Sequence, residues 1–263
     1  MKLVTMVCVA ATFAALSAQA FASVPERMVA AKRELAVAVN GKENAALVKA
    51  RAEFESISSA EPDLAVLHYW IAVADWRLVP RLSDTKAQAQ RYCKDGIAHA
   101  DQALKLDPKL AEALAVKAGL QGMWTQFDPQ NMMTIGLEIE QSMGRALALA
   151  PQSPRVAFLD ALNALHKPTF VGGGADKALP KFKKTLELFA SDTTRDSTAA
   201  DWGRDDAYLW TGRTAMQLGD YQAARGYYQK ALEANPGNGW VRKVLLPEAE
   251  KALADTTAEK GKS

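Results

Sequence analysis

The chain has 263 residues, of which 49% are hydrophobic and 24% are charged, a composition typical of a globular protein with a sizeable core. The 32 basic and 30 acidic side chains leave a formal net charge of +2. This balance excludes the strong single-sign field of a nucleic-acid-binding protein or of a protein held on an anionic membrane surface, so we expect neither kind of partner.

The first 22 residues have the pattern of a secretory signal peptide. Lys2 provides a positive start, Leu3–Leu16 is uncharged and mostly apolar, and small residues offer cleavage after Ala20 or Ala22. The alternative, an uncleaved anchor, is disfavoured because the apolar run is shorter than the roughly 20 residues that span a bilayer. We therefore expect a periplasmic or secreted protein without stable membrane insertion.

Amphipathic helices recur along the rest of the chain, and prolines separate them. Apolar residues repeat with the period of a half-buried helix, whereas the alternation typical of strands is nearly absent. Prolines at positions 62, 108, 151 and 236 each follow one helix and precede another. We predict helix pairs near residues 28–62, 63–108, 109–151, 152–190 and 205–236, followed by a cap helix over Trp240–Leu253. Residues 23–254 would then form one domain, and residues 255–263 a flexible tail.

Long connections interrupt this pattern. Extra residues lie at Val79–Lys86, Thr125–Met132 and Lys167–Gly174, and Ser191–Gly203 forms a polar linker. Phe170 is expected to pack back onto the helices. The amides of the three glycines that follow it could bind a phosphate or carboxylate at a helix N-terminus, or could simply form a turn. These candidates for a weak anion site are Gly172, Gly173 and Gly174.

Residues suited to catalysis are sparse. The three histidines, at positions 68, 99 and 166, lie in predicted helices and lack a third ligand at metal-binding spacing. Cys93 is the one cysteine left after signal cleavage, so no internal disulfide can form. We expect it to be a buried structural thiol, with a reactive thiol as the alternative. The chain is therefore predicted to be no enzyme and to need no cofactor or metal.

The fifth predicted pair, Asp205–Pro236, carries the most informative spacing. Small residues fall where two antiparallel helices cross, and aromatic residues fall where one pair packs on the next. Counted from Asp205, positions 4, 8, 11, 20, 24, 27 and 32 hold Tyr208, Gly212, Ala215, Ala224, Tyr228, Ala231 and Pro236. In this spacing and in the closing prolines, the chain resembles the tetratricopeptide repeat family.

The resemblance implies an all-α, right-handed solenoid of about five helix pairs that binds a protein or peptide without catalysis. In this family, the first helix of each pair lines a concave wall. The wall positions give these candidate partner-binding residues: Tyr69, Trp76, Arg77, Met123, Phe158, His166, Arg213 and Met216. Aromatic residues and arginine are enriched in binding hot spots. The Lys and Asn with which one subset of the family clamps acidic peptide C-termini are absent, since Tyr69 and Val73 occupy such positions.

Two functions remain open from the sequence. The first is an exported adaptor that binds a protein or peptide along an open groove, with Arg77 and Arg213 fixing polar ends. The second is a periplasmic small-ligand or transporter-associated binding protein whose pocket is closed by the inserted loops. The loop around Phe170 is similar to those of exported bacterial repeat proteins associated with solute transporters. Whether the wall is an open groove or a loop-covered core is likewise left open.

Overall fold

The computed structural model of the protein describes residues 22–82, 84–193 and 196–260. The predicted signal peptide up to residue 21, with Cys8, lies outside the described residues, as do the last three residues of the predicted tail. The α-helices of the described part are α1 Val24–Asn40, α2 Asn44–Ala60, α3 Ala65–Leu78, α4 Lys86–Leu106, α5 Ala111–Trp124, α6 Met132–Leu149, α7 Pro154–His166, α8 Ala175–Ser191, α9 Arg204–Gln217, α10 Tyr221–Ala234 and α11 Leu246–Lys260. Those residues contain no strand.

Polar side chains at the helix starts satisfy backbone amides that have no partner within the helix. Ser23 and Glu26 form a capping box at the start of α1. The side chains of Ser153 and Asp220 accept hydrogen bonds from amides in the first turns of α7 and α10. Gly219, with φ of 78°, makes the left-handed turn between α9 and α10. The local sequence thus defines the starts of α1, α7 and α10 and the end of α9.

Consecutive helices pack as antiparallel pairs, α1 with α2 through α9 with α10, and the pairs stack into a right-handed solenoid. Small residues allow the close crossings. A Cβ atom added to Gly96 of α4 would lie 2.8 Å from the Cβ of Asp75 in α3, and one added to Gly212 would lie 2.6 Å from the Tyr228 ring. The predicted all-α solenoid of about five helix pairs is confirmed.

The apolar core has two parts. The larger part runs through the first four helix pairs and includes Trp70, Phe54 and Phe182. The smaller part lies between α9, α10 and the C-terminal helix and centres on Tyr228. Trp210 packs against both parts, so the fifth helix pair is continuous with the rest of the core.

The C-terminal cap begins with an irregular turn. Residues Val241–Leu245 form a π-helical turn, which leads into α11. Pro247, two residues after the turn, lacks the amide N–H that a regular α-helix would need at this point. Val241 and Leu245 are buried against the fifth helix pair, so the cap covers the apolar end of the solenoid.

The first and fifth helix pairs meet directly. The side-chain amides of Asn40, at the end of α1, and Asn235, after α10, donate to each other's carbonyl oxygens at 3.1 and 2.9 Å. Asn235 also donates to the Asp205 carboxylate at 2.6 Å. The solenoid therefore curves until its fifth pair reaches its first.

The crossing of α9 and α10 gives a stability prediction. Gly212→Ala should lower the free energy of unfolding by about 1–3 kcal/mol, because the added methyl group collides with the Tyr228 ring. Gly226→Ala is the matched control: it lies within α10 with no atom within 4 Å of the added Cβ, and should stabilise by roughly 0.5–1 kcal/mol. Urea unfolding followed by circular dichroism measures both changes, and equal effects would contradict a tight crossing at Gly212.

Candidate functional site: a filled concave wall

A stretch of the chain between α8 and α9, residues 196–203 (the inner segment), lies against the first helices of the solenoid. The indole N–H of Trp70 in α3 donates to the Thr198 carbonyl at 3.1 Å. The Lys32 ammonium in α1 donates to the carbonyls of Ser197 and Ala199 at 2.6 and 2.8 Å. Side chains of the wall thus bind main-chain carbonyls of a bend in the backbone, in which the Ala199 amide donates to the Asp196 carbonyl at 3.2 Å.

Trp202 anchors the inner segment. Its ring centre lies 5.5 Å from that of Trp76 in α3 and 6.2 Å from that of Phe158 in α7. Its indole N–H donates to the Tyr69 hydroxyl at 2.8 Å. Burial raises the pKa of Tyr69, and the charge of Glu112 raises it further, so the phenol stays neutral at this contact. Trp202 therefore fills an aromatic pocket between two repeats.

Arg77 links this pocket to the fifth helix pair. Its guanidinium forms a bidentate ion pair with Asp206, one bond of which measures 2.9 Å. It also lies over the rings of Trp76 and Trp202, at 4.6 and 5.1 Å from their centres. The planar guanidinium can pair with a carboxylate in its own plane while its faces contact aromatic rings. The beginning of α9 is thereby fixed against α3.

The predicted wall residues are thus mostly not exposed to a partner in this structure. Tyr69, Trp76 and Phe158 are 1%, 7% and 0% exposed, so of the two alternatives left open by the sequence these residues form a covered core rather than an open groove. The inner segment covers them, rather than the three inserted loops that the covered-core alternative named. The polar linker contains Trp202, and packing the apolar indole ring against other aromatic rings is more favourable than leaving it in water.

The other predicted wall residues divide into separate contacts. The His166 ring packs edge-on against Trp210, and its Nδ1–H donates to the Leu162 carbonyl at 2.9 Å. The Arg213 guanidinium lies over two tryptophan rings, those of residues 210 and 240. Met123 and Met216 are half-buried against the larger and the smaller core. The structure does not join these four residues to the Trp202 pocket as one surface.

The glycine loop does not form the anion cradle that its sequence allows. The amides of Gly172, Gly173 and Gly174 already donate to the carbonyls of Thr169, Pro168 and Ala164, at 2.9 to 3.1 Å. Amides used in this way have no N–H left for an anion, so the turn is the interpretation that the structure supports. The expectation for Phe170 was wrong, since this side chain is 78% exposed.

Two open cavities lie away from the Trp202 pocket. One, of about 410 Å³, is lined by Arg51 of α2, His68 of α3 and three polar residues of α4 (Asp95, His99 and Gln102). The other, of about 430 Å³, lies between α4, α5 and α6 and is lined by Trp124 and Glu138. Neither is lined by Phe158 or Trp202. Among the residues that the structure describes, no cluster of three or more His, Cys, Asp or Glu could hold a metal ion.

A pair of histidines lines the first cavity. The Nδ1 atoms of His68 and His99 are 3.0 Å apart, so one ring donates its Nδ1–H and the other accepts with its lone pair. Sequence reasoning missed this pair because α3 and α4 bring together two positions 31 residues apart. Burial lowers the pKa of His99, and the nearby charges of Arg51 and His68 lower it further.

Cys93 has the environment expected of a structural thiol. It is 0% exposed, and its Sγ lies 3.2 Å from the Leu120 carbonyl. Burial raises the pKa of the thiol to about 12, and the charge of Asp75 acts in the same direction. A thiol so rarely ionised is a poor nucleophile.

No helix in the described part of the chain is both long and apolar enough to cross a bilayer.

The histidine pair gives a pH prediction. A histidine whose pKa is lowered by folding stabilises the fold above its unfolded pKa of about 6.5 and loses this contribution as the pH falls through the folded value. His99→Gln should therefore reduce the loss of unfolding free energy between neutral pH and pH 5. Urea titrations across this range compare it with wild type and with His166→Gln, a control outside the pair. An unchanged pH dependence in His99→Gln would contradict the assignment.

Comparisons with known proteins agree with the helix-pair architecture. A family model described as tetratricopeptide repeat matches residues 205–238. Cellulose synthase operon protein C of Pseudomonas fluorescens (strain SBW25) is 27% identical over 182 residues. That alignment covers 65% of this chain and 12% of the relative, so the chain spans only a small part of that protein's length.

Two solved structures share the fold. The HusA haemophore from Porphyromonas gingivalis has a TM-score of 0.60 at 24% identity, over 72% of this chain and 92% of that one. A thermophilic TPR protein of Thermus thermophilus has a TM-score of 0.57 at 16% identity, over 80% of this chain and 92% of that one. At such identities the likeness concerns the fold alone. Residues 205–238 thus match one tetratricopeptide repeat, and the chain as a whole shares the helix-pair fold of these structures.

Proposed function

We propose that this chain is an exported, non-catalytic adaptor that binds a segment of a protein partner along its concave wall. The tetratricopeptide repeat fold supports a protein-interaction scaffold in general. The observation that supports the finer proposal is the inner segment, which is held by wall side chains through its carbonyls and through one aromatic anchor, Trp202. Contacts to main-chain groups combined with a side-chain pocket are a common mode of peptide recognition.

The inner segment occupies the wall in cis, so a partner must displace it. Displacement removes the Trp202 indole from its pocket, and the partner has to replace that contact. The apparent association constant of a partner therefore equals its association constant for the uncovered wall multiplied by the fraction of molecules in which the inner segment is released. Strong binding therefore requires one of two conditions. Either the partner reproduces the contacts of the inner segment, or the inner segment has already been released from the wall.

A non-catalytic role is supported by the state of the candidate reactive groups. Cys93 is buried with a raised pKa, and the carboxylates nearest to the histidine pair, Glu55 and Asp95, lie close to Arg51. The two cavities described above are open and lie away from the inner segment. No observation favours the small-ligand alternative, in which loops close a pocket over the wall.

Export is proposed from the signal pattern of the first 22 residues. Expression in a bacterial host should yield a periplasmic protein that begins at Ser23, because the small residues before it suit signal peptidase. Intact-mass spectrometry of the periplasmic and cytoplasmic fractions measures the cleavage site. A chain that retains residues 1–22 and stays with the membrane fraction would contradict export as a cleaved protein.

Release of the inner segment should increase partner capture. Trp202→Ala removes the anchor, so this variant should retain more of a partner from periplasmic extract than wild type does, and an added peptide with the sequence of residues 196–202 should compete. Phe170→Ala is the control, since it removes an exposed aromatic residue away from the wall. Quantitative mass spectrometry of the retained proteins provides the comparison. Equal capture by all three chains, with no competition by the peptide, would exclude the wall as the binding surface.

A further inference from the structure

The Trp202 pocket and the polar groups beside it restrict what the wall can bind. Resting on the proposed adaptor function, we propose that the partner segment is acidic and carries a tryptophan directly after an aspartate or glutamate. The inner segment has this chemistry in its Asp201-Trp202 step. The partner would therefore compete for the pocket with the inner segment, which carries the same motif.

The pocket is selective for an indole. The Tyr69 hydroxyl is 1% exposed and accepts the indole N–H of Trp202 at 2.8 Å. Phenylalanine has no N–H to donate, and an aliphatic side chain would leave part of the space between Trp76 and Phe158 empty. Tyrosine carries its polar atom at the end of the ring, in a different direction from the indole N–H. Tryptophan is thus the side chain that satisfies both the shape and the hydrogen bond.

Lys32 selects the residue before the tryptophan. This lysine is 7% exposed, and its ammonium lies 2.9 Å from the Asp201 carboxylate in addition to the two carbonyls that it binds. In the described part of the chain, all of the oxygen acceptors recorded for Lys32 belong to residues 197–201. A buried cation that loses its acceptors is strongly disfavoured, so an occupant must supply them again.

The wall presents hydrogen-bond donors, and carboxylates of this chain already neutralise its two arginines, Arg77 through Asp206 and Arg155 through Asp192. Lys32, Trp70 and Arg77 direct N–H groups toward the inner segment or the start of α9. Arg155 is 5% exposed, pairs with Asp192 at 2.9 Å, and has an Nε atom with no hydrogen-bond partner among the described residues. Its charge lies close enough to act on Tyr69 of the pocket. The charge left for an occupant to satisfy is that of Lys32, so a segment that places a carboxylate beside this lysine is complementary.

Fluorescence anisotropy with a labelled peptide tests the motif. The probe is Asp-Ser-Thr-Ala-Ala-Asp-Trp, the sequence of residues 196–202, added to the Trp202→Ala chain. Replacing the peptide tryptophan by alanine should weaken binding at least about tenfold. Replacing the adjacent aspartate by asparagine should weaken it about two- to fivefold, and less at high salt, because Asp201 is 61% exposed where it meets Lys32.

A double-mutant cycle assigns the aspartate contact. In the chain that combines Trp202→Ala with Lys32→Met, the aspartate and asparagine peptides should bind alike, while the tryptophan peptide should still bind more tightly than the alanine peptide. Circular dichroism and urea unfolding establish that each variant is folded. Should Trp202→Ala fail to fold, Trp202→Phe provides the receptor, because it keeps the ring but loses the N–H donor. Equal affinity for all peptides in a folded receptor would overturn the motif.

The peptide-binding experiment and the protein-capture experiment can fail independently, so the motif and the adaptor function are tested separately. If the peptides are not discriminated but Trp202→Ala still captures a protein in competition with the unlabelled peptide, the motif is wrong and the adaptor function stands. If the peptides are discriminated and no protein is captured, the pocket specificity stands and the adaptor function fails. Support for both requires that a captured partner lose binding when the tryptophan of its own acidic segment is replaced by alanine.

Discussion

Burial of the Trp202 indole is the interaction on which the arrangement of this chain depends. The ring contacts α3 through Trp76 and α7 through Phe158, and α9 begins two residues later. Trp202 is half-buried, so its truncation should cost less than the about 3–5 kcal/mol typical of a core tryptophan, yet still a sizeable share of the roughly 5–15 kcal/mol that stabilises a domain. The same contact that closes the concave wall therefore positions the fifth helix pair, and Arg77 with Asp206 reinforces it. Occupation of the wall is in this sense part of the fold.

Much of the fold could be predicted from the sequence because the repeat constrains it locally. Gly212 and Tyr228 are spaced so that a small residue faces an aromatic ring where α9 and α10 cross, and the structure shows this contact. Helix periodicity and capping residues such as Asp220 are equally local signals. The path of the linker is different, because Trp202 meets Tyr69 from 133 residues away. A tryptophan within an otherwise polar linker was the signal that it would be buried.

The candidate site was predicted only in part, for the same reason. The family pattern identifies Tyr69, Trp76 and Phe158 as wall residues, but it does not say what lies on them. Whether the glycine loop can bind an anion likewise depends on contacts that the sequence pattern does not specify, namely the hydrogen bonds of its amides. Amides that appear available in the sequence are used by carbonyls of the preceding turn, among them that of Ala164 in α7. Phe170 is exposed and His68 pairs with His99 because of where the helices lie relative to one another. A periodic sequence pattern does not determine this placement.

The contact between Asn40 and Asn235 changes how the solenoid should unfold. Open repeat arrays behave as one-dimensional chains, in which each repeat interacts with its neighbours and the end repeats can fray independently. Here the first and last repeats contact each other across 195 residues of sequence, so neither end is free. Such a closure couples distant repeats into one cooperative unit and raises the contact order, which slows folding. We expect amide hydrogen exchange in α1 and α10 to be suppressed together, as in a globular domain, rather than to decline toward the ends as in an open array.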